Sequence, residues 1–349
     1  VALVALAPGV SLPPGSAFPR VNGGRPRVNE YLFDGISMLQ PEPGQVAFFP
    51  IIDAVQEFQV VTNSPAAEFG RFDGGVINLT TRSGTNEFHG TAFEFLRNEA
   101  LNARNLFAAG TRKPVFRRNQ FGYVLGGPLV RNRMFFFTDY QGTRQNVGRV
   151  RVATVPTMLQ REGIFTEPGA DGAAVIYDPA SARPSAGGLR RDPFPTNTVP
   201  GQRMDPVALR LLERYPFPTA AGMANNYRRV GDEPNRQDQF DVRLDRRLSA
   251  ADLVTGRYSY ARDNIRPVTP LPDGSGNITA GVTGPTSTLA QSVVTSHVHA
   301  AGARMVNEAR FGYTRRALQR RATSLEAPPT TSLDLPGLPA NAAFENTLP

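Results

Sequence analysis

The sequence predicts a small α+β domain followed by an antiparallel array of barrel-length strands that forms an incomplete, open sheet. Three observations predict it. From Val21 to about Thr81, short β-type runs are separated by Gly, Asn and Asp. Beyond Gly84 the chain becomes a series of segments of about ten residues in which apolar and polar side chains alternate. The links between those segments are short on one side and long on the other, the longest covering residues 157–237.

In the first region, Phe58 and Val60 share a face of the run Val55 to Val61, and the run ending at Thr80 is entered through Gly74-Gly75. In the second region, Phe121, Tyr123 and Leu125 oppose Gln120, Gly122 and Val124. The nearly all-apolar segment Arg133 to Tyr140 follows, and residues 126–132 supply turn chemistry, so the two segments form a hairpin. Phe240, Val242 and Leu244 alternate with Asp241, Arg243 and Asp245, and a turn at Ser249 to Asp252 leads to a strand with Val254, Tyr258 and Tyr260 on one face. Ala290, Val294, Val298 and Ala300 lie opposite Gln291, Thr295, His297 and His299. A turn over 301–304 then leads to Ala309, Phe311 and Tyr313, facing away from Glu308, Arg310 and Thr314. This makes about eight strands by the ten-residue criterion. Short helices are expected in the long link, near Met158 to Arg161 and Pro206 to Arg214.

Composition narrows the classes. Gly (33) and Pro (31) are abundant in a chain of 349 residues, which makes it rich in turns. No uninterrupted apolar run reaches the ~18 residues of a membrane-spanning helix, so any crossing must be made by strands. Alternation alone fits a membrane barrel and a soluble β-sandwich equally well. The long link 157–237 tips the balance, because short turns at one end and long loops at the other are the pattern of outer-membrane barrels. Phe95, Tyr140, Tyr260 and Tyr313 then suit interfacial girdles. Cysteine is absent, which removes disulfides and thiolate metal sites. The net charge of +8 suggests nucleic acid, but Lys113 is the only lysine and the arginines are scattered, so no stripe tracks a phosphate backbone and no nucleic-acid partner is expected.

No nucleophile, base and orienting group assemble into a catalytic site, so no enzyme activity and no cofactor are expected. His297 and His299 lie two apart on one strand face without a third ligand, and a polar lumen face accounts for them better than a metal. Gly23-Gly24 and Gly74-Gly75 lack the Lys-Ser/Thr ending and following helix of a phosphate loop, and read as structural glycines. The chain starts at Val1 without a charged leader, so a signal peptide or upstream domain is expected to precede it.

The segment from Asn22 to Gly35, NGGRPRVNEYLFDG, resembles the plug of Oar-like TonB-dependent receptors. The run Asp53 to Val60, followed by Ala67-Glu68-Phe69-Gly70-Arg71 and Gly74-Gly75-Val76-Ile77-Asn78, is similar to the closing part of the plug in the wider receptor family. Arg82-Ser83-Gly84-Thr85-Asn86-Glu87-Phe88-His89-Gly90, Asn119 to Tyr123, Gly126-Gly127-Pro128 and Phe135 to Tyr140 resemble the plug-to-barrel junction and first hairpin.

That resemblance implies a plug domain over 1–83, amino-terminally truncated, and the beginning of a transmembrane β-barrel over 84–349, with an extracellular loop at about 157–237. About eight strands cannot enclose a plug, whereas barrels of roughly 22 strands do. It implies energised passage of a bulky, unidentified substrate across the cell outer membrane. TonB would engage through a segment missing here, and outer-membrane lipid would surround the wall. The alternative is a non-transporting adhesin or glycan-binding β-protein. Plug structural or gating positions are expected at Asn22, Gly23, Arg25, Asn29, Asp34, Gly35, Glu57, Glu68, Gly70, Arg71, Gly74, Gly75 and Asn78, and junction positions at Arg82, Ser83, Gly84, Asn86, His89 and Gly90. The plug carboxylates and arginines are expected to pair with one another and with the wall.

Overall fold

A computed structural model describes residues 2–13, 16, 18–40, 44–66, 69–70, 72–103, 113, 115–169, 172, 174–185, 187–272 and 284–321. The amino-terminal module is built on a four-stranded mixed sheet of β1 (Glu30–Phe33), β2 (Ile36–Ser37), β3 (Val55–Val61) and β4 (Val76–Thr81), in the order β2-β1-β4-β3. Strand β1 runs parallel to β4, while β3 and β4 are antiparallel. All four residues of β1 are buried, as a central strand covered on both faces requires. Among the described residues the helical content of the module is two 3-10 turns, Ala2–Leu6 and Ile52–Ala54.

Seven long strands follow: β5 (His89–Asn98), β6 (Phe116–Val130), β7 (Met134–Ala153), β8 (Tyr227–Arg247), β9 (Asp252–Ile265), β10 (Thr286–Ala301) and β11 (Met305–Arg320). Each is antiparallel to its sequence neighbour, so the sheet is an up-and-down meander whose two edges, β5 and β11, are open among the described residues. The sequence reading assigned 126–132 to a turn, but β6 continues to Val130 and the turn is only 131–133. Gly126 and Gly127 sit in the strand because the chain crosses close to them: a Cβ on Gly127 would lie 2.4 Å from the Phe88 ring. The register slips by one residue just after, between Pro128 and Val130, where a bulge accommodates a proline that cannot donate to the ladder.

The long link is shorter than the 157–237 read from the sequence. Strand β7 runs to Ala153 and β8 begins at Tyr227, paired residue for residue from Ala153↔Tyr227 to Met134↔Arg246. Gly231 and Pro234 disguised this strand as loop. The neck of the loop is closed by buried Asn226, whose Nδ2 donates to the Val155 carbonyl and whose Oδ1 accepts from the Val155 amide, both at 2.8 Å. Both expected helices are present, as α1 (Met158–Arg161) and α2 (Pro206–Arg214). Thr157 and Gln160 form a capping box on α1, and Asp205 caps α2 with Pro206 in its first turn. Arg161 docks the two helices by donating to the carbonyls of Leu212, Tyr215 and Pro216 at 2.7–2.9 Å, at the negative end of α2.

Two bidentate pairs, Arg183 with Asp192 and Arg203 with Asp178, brace the exposed part of the loop. The hydrogen bond from Arg203 holds the Asp178 carboxyl below its ordinary value, and Arg183 does the same for Asp192. A depressed carboxylate contributes order at neutral pH and loses it as pH falls through the folded-state value. We therefore predict that amide exchange at Ala180, which donates to Asp178 at 2.8 Å, quickens on acidification below about pH 4, while the Val155 amide stays protected. Equal loss of protection at both would show that the ion pairs do not order the loop locally.

Candidate functional site

The sheet's two faces have different chemistry, and register determines which residues share each face. One outward row reads Tyr123, Tyr140, Phe240, Tyr260, Gln291 and Arg315 across β6 to β11. The next reads Leu125, Thr138, Val242, Tyr258, Val293 and Tyr313. The opposite face carries Val124, Asp139, Asp241 and Ser259, all buried, and the amino-terminal module packs against it. Ala290 joins the module's core with Tyr31, Phe33, Met38 and Ile77, while Ile51 and Ala54 cluster with Val124 and Phe137.

Register also relocates two expectations. Phe95 pairs with Gln120 and lies with Phe93 on the inner face, their rings 5.6 Å apart, rather than in an outward girdle. His297 and His299 are on the outward face in line with Val254 and Asp252, not on the lumen side. Both ring nitrogens meet Asp252 Oδ1, at 3.0 and 2.8 Å. Ala290 and Val294, which looked lipid-facing, are buried because they line the seat of the module.

The center of the inner face is electrically unusual. Asp139 is directly opposite Asp241, and Arg243 directly opposite Arg257. Like charges facing each other across strands are unfavourable; Asp245 lies 2.9 Å from Arg243 and Asp241 3.7 Å from Arg257, and one further anion reaches both arginines. The module supplies Asp34. It sits in a two-residue hairpin between β1 and β2, with Asp34 and Gly35 both at positive φ (51° and 75°), the geometry that favours Asp-Gly. The Asp34 amide donates to the Leu79 carbonyl, and its carboxylate accepts from the Thr81 amide at 2.8 Å and from the Thr81 hydroxyl.

So held, Asp34 Oδ2 is 2.6 Å from Arg257 Nε, and Oδ1 is 3.8 Å from Arg243 Nη1. Arg257 is 3 % exposed, and its guanidinium stacks over the Phe33 ring at 3.8 Å. It also donates to Ser259 Oγ, which in turn donates to Asp241. Arg243 donates to the Thr81 carbonyl and hydroxyl at 2.9 and 2.8 Å and forms an ion pair with Asp245. Asp245 in turn accepts from Ser83 at 2.7 Å and from Thr255 at 2.8 Å. The outcome is one connected latch between module and wall.

The other site residues divide by environment. Asn29 is buried, donating to the Pro19 carbonyl at 2.7 Å and accepting from Gly75 at 3.0 Å, and a Cβ on Gly74 would stand 2.2 Å from its Oδ1. Gly35 leaves room for the Arg310 guanidinium, and Gly84 for the Phe136 carbonyl, 2.2 Å from its would-be Cβ. Asn86 and Asn132 exchange two hydrogen bonds, at 2.6 and 2.8 Å, which tie the junction to the β6–β7 turn. Gly90 packs near the Val124 carbonyl, and His89 is exposed beside Glu87. Asn22 bonds to Thr62 and Asn63 next to Gly23 at positive φ. Asn78, between Leu32 and Gln59, keeps a buried Oδ1 without a partner among the described residues. Arg25, Glu57, Gly70 and Arg82 are exposed and take no part in the latch, and Glu68 and Arg71 lie outside the described residues.

The sequence reading marked Asp34 and the charged face of β8 but not the wall arginine Arg257 or Ser259 beside it. The signal was available: once β8 and β9 are aligned, two arginines fall directly opposite each other.

A meander of long strands with aromatic rows across one face, and a small sheet latched to the charged other face, has the arrangement of part of an outer-membrane β-barrel wall with its plug. The chain belongs to the outer membrane beta barrel domain family, whose model matches residues 80–349. It is 35% identical over 166 residues to the TonB-dependent transporter Oar of Myxococcus xanthus, a match covering 42% of this chain and 15% of that protein. In fold it is similar to a mutant of the ferric enterobactin receptor PfeA of Pseudomonas aeruginosa (TM-score 0.51, 15% identity, 91% of this chain and 38% of that one). It is likewise similar to the siderophore receptor PirA of Acinetobacter baumannii (TM-score 0.52, 14% identity, 91% and 37%). The chain thus spans well under half the length of these relatives, which are named as transporters and receptors rather than enzymes. Family and relatives place it in the outer membrane.

Removing one member of a buried ion pair strands the other charge at a cost of roughly 3–5 kcal/mol. Arg257→Ala is therefore expected to speed exchange of the Thr81 amide by about two to three orders of magnitude, and Arg257→Lys to restore only part of the protection. Unchanged exchange in Arg257→Ala would show that the latch does not hold the module.

Proposed function

We propose that the whole protein moves a bulky solute across the outer membrane, and that the Asp34–Arg243–Arg257 latch holds its plug closed until TonB pulls on it. In this reading residues 1–83 are plug and 84–349 the first part of the barrel, with the long loop outside the cell. The protein performs no catalysis. The observation that carries the reading is a half-buried plug carboxylate that reaches two wall arginines facing each other across neighbouring strands. A stable adhesin would gain nothing from charges at this seam, since apolar packing there is often as stable or more so; a part that must leave and return benefits from a polar seam with a defined register.

The plug positions Asn29, Gly74 and Gly75 keep the module rigid enough to transmit a pull, and Ser83, Gly84 and Asn86 anchor its exit to the wall. Substrate contacts would fall to the loops, which vary without disturbing the wall.

These 349 residues hold no cysteine, so with any cysteine elsewhere in the full-length protein replaced by serine, one placed at Thr81, which is buried within the latch, reports its opening. In cells making the full-length Thr81→Cys protein, a membrane-impermeant maleimide added from outside is expected to label faster when the inner-membrane proton gradient is intact than when it is collapsed or TonB is deleted. Equal labelling in all three states would refute energised opening.

A further inference from the structure

Beneath the plug, one buried acid of the wall is not accounted for by the latch. Asp139 stands on the inner face of β7, directly opposite Val124 of β6 on one side and Asp241 of β8 on the other. It is 0 % exposed, and Asp241 is 3 % exposed. Its Oδ1 accepts from the Asp241 amide at 3.2 Å, and its Oδ2 has no hydrogen-bond partner among the described residues. An ionised carboxylate taken out of water needs several donors or a cation to offset its lost hydration. Asp139 has one long hydrogen bond.

The charges around it supply no better partner. Arg243 and Arg257 sit among four carboxylates, Asp34, Asp139, Asp241 and Asp245. Arg243 is 2.9 Å from Asp245, while Arg257 is 2.6 Å from Asp34 and 3.7 Å from Asp241. The Ser259 hydroxyl supports Asp241 as well. On β6 the facing residue is the apolar Val124, and the plug turn clustered with it contributes Ile51 and Ala54, with Asp53 exposed. On β11, Arg310 is engaged by Glu308. Two guanidinium groups therefore serve four acids, and Asp139 is the one left over. Two carboxylates facing each other at cross-strand spacing in a dry seam do not both stay ionised.

We infer that Asp139 and Asp241 share one proton while the plug is seated, with Asp139 as the neutral acid and Asp241 as the ionised acceptor. A proton on Asp139 Oδ2 turns an unpartnered acceptor into a donor, and Asp241 is the acid directly across the ladder. A proton fits better than a metal ion, because no three carboxylate or histidine side chains among the described residues are grouped to hold one. The run from Asp139 through Asp241, Ser259 and Arg257 to Asp34 then links the bound proton to the plug's own carboxylate. Lifting Asp34 away would free the Arg257 guanidinium for the two wall acids and admit water, and the proton would pass to that water as Asp139 ionises. The inference rests on the seat alone and holds whether or not the protein transports anything.

The test uses full-length protein in an ester-free detergent at neutral pH and reads the carbonyl stretch of a protonated carboxylic acid by infrared spectroscopy. The unaltered protein is expected to show this band, and Asp139→Asn to lose it. Thr81 amide exchange gives an independent readout, since Asn matches a neutral acid in shape and charge. Asp139→Asn is therefore expected to leave that exchange within about threefold of the unaltered protein. Removal of an ionised partner of Arg257 would instead speed it by about two orders of magnitude. Absence of the band from the unaltered protein would overturn the inference without recourse to variants, as would a band that persists undiminished in Asp139→Asn. So would an exchange about a hundredfold faster in that variant, a variant plug that no longer seats, or faster Thr81 exchange on chelation, which would mark a metal ion in the proton's place. Because the Thr81→Cys labelling needs no proton in the seam, a missing band leaves the transport reading standing, and labelling that ignores the proton gradient leaves the bound proton standing.

Discussion

Two arginines face each other across neighbouring strands on the inside of this wall, and the rest of the structure is arranged around that conflict. Arg243 and Arg257 are fixed opposite each other by the ladder of β8 and β9, and neither can turn outward without placing a charge among the aromatic rows. Asp34 resolves the conflict from a different part of the chain, which is why the hairpin carrying it has such exacting backbone requirements: two successive residues at positive φ, a hydrogen bond from its amide to β4, and two more from Thr81 to its carboxylate. The plug therefore seats in one register, because the carboxylate that reaches both arginines is carried by its own turn.

Much of this was legible in the sequence, and the missing part has a definite cause. Period-2 alternation identified the outward residues of β6, β8 and β11, because a strand with lipid on one side must keep that side apolar. It misjudged β10, where Ala290 and Val294 are just as apolar as a lipid-facing residue but lie beneath the plug, a neighbour that alternation cannot reveal. The two histidines and Phe95 were misplaced for the same reason: a face is only inside or outside relative to a partner strand, and register is a property of pairs. Helices α1 and α2 were clear from local signals alone, through Thr157, Asp205 and Pro206. Strand β8 was not, since Gly231 and Pro234 oppose strand formation locally and are overruled by twenty paired residues of β7. Of the latch, the plug half was visible as Asp-Gly following an apolar run; the wall half was visible only as charges.

The glycines and asparagines of the plug serve close approach more than flexibility. Gly74 yields to the Asn29 amide, Gly84 to the backbone of the β6–β7 hairpin, and Gly35 to Arg310. Each is a point at which two chain segments meet with no room for a side chain, so the plug and its exit are fitted to the wall at backbone distance. A body fitted this closely moves as a unit or not at all.

The Asn226 bridge to Val155 bears on how such a protein can change over time. By pinching the two ends of a seventy-residue excursion together with one side chain, it makes the span between 156 and 225 mechanically separate from the wall beneath, since strain in the excursion stops at the bridge. Substitutions, insertions or wholesale replacement there would be absorbed above that point. Descendants could thus diversify the excursion while inheriting an unaltered wall.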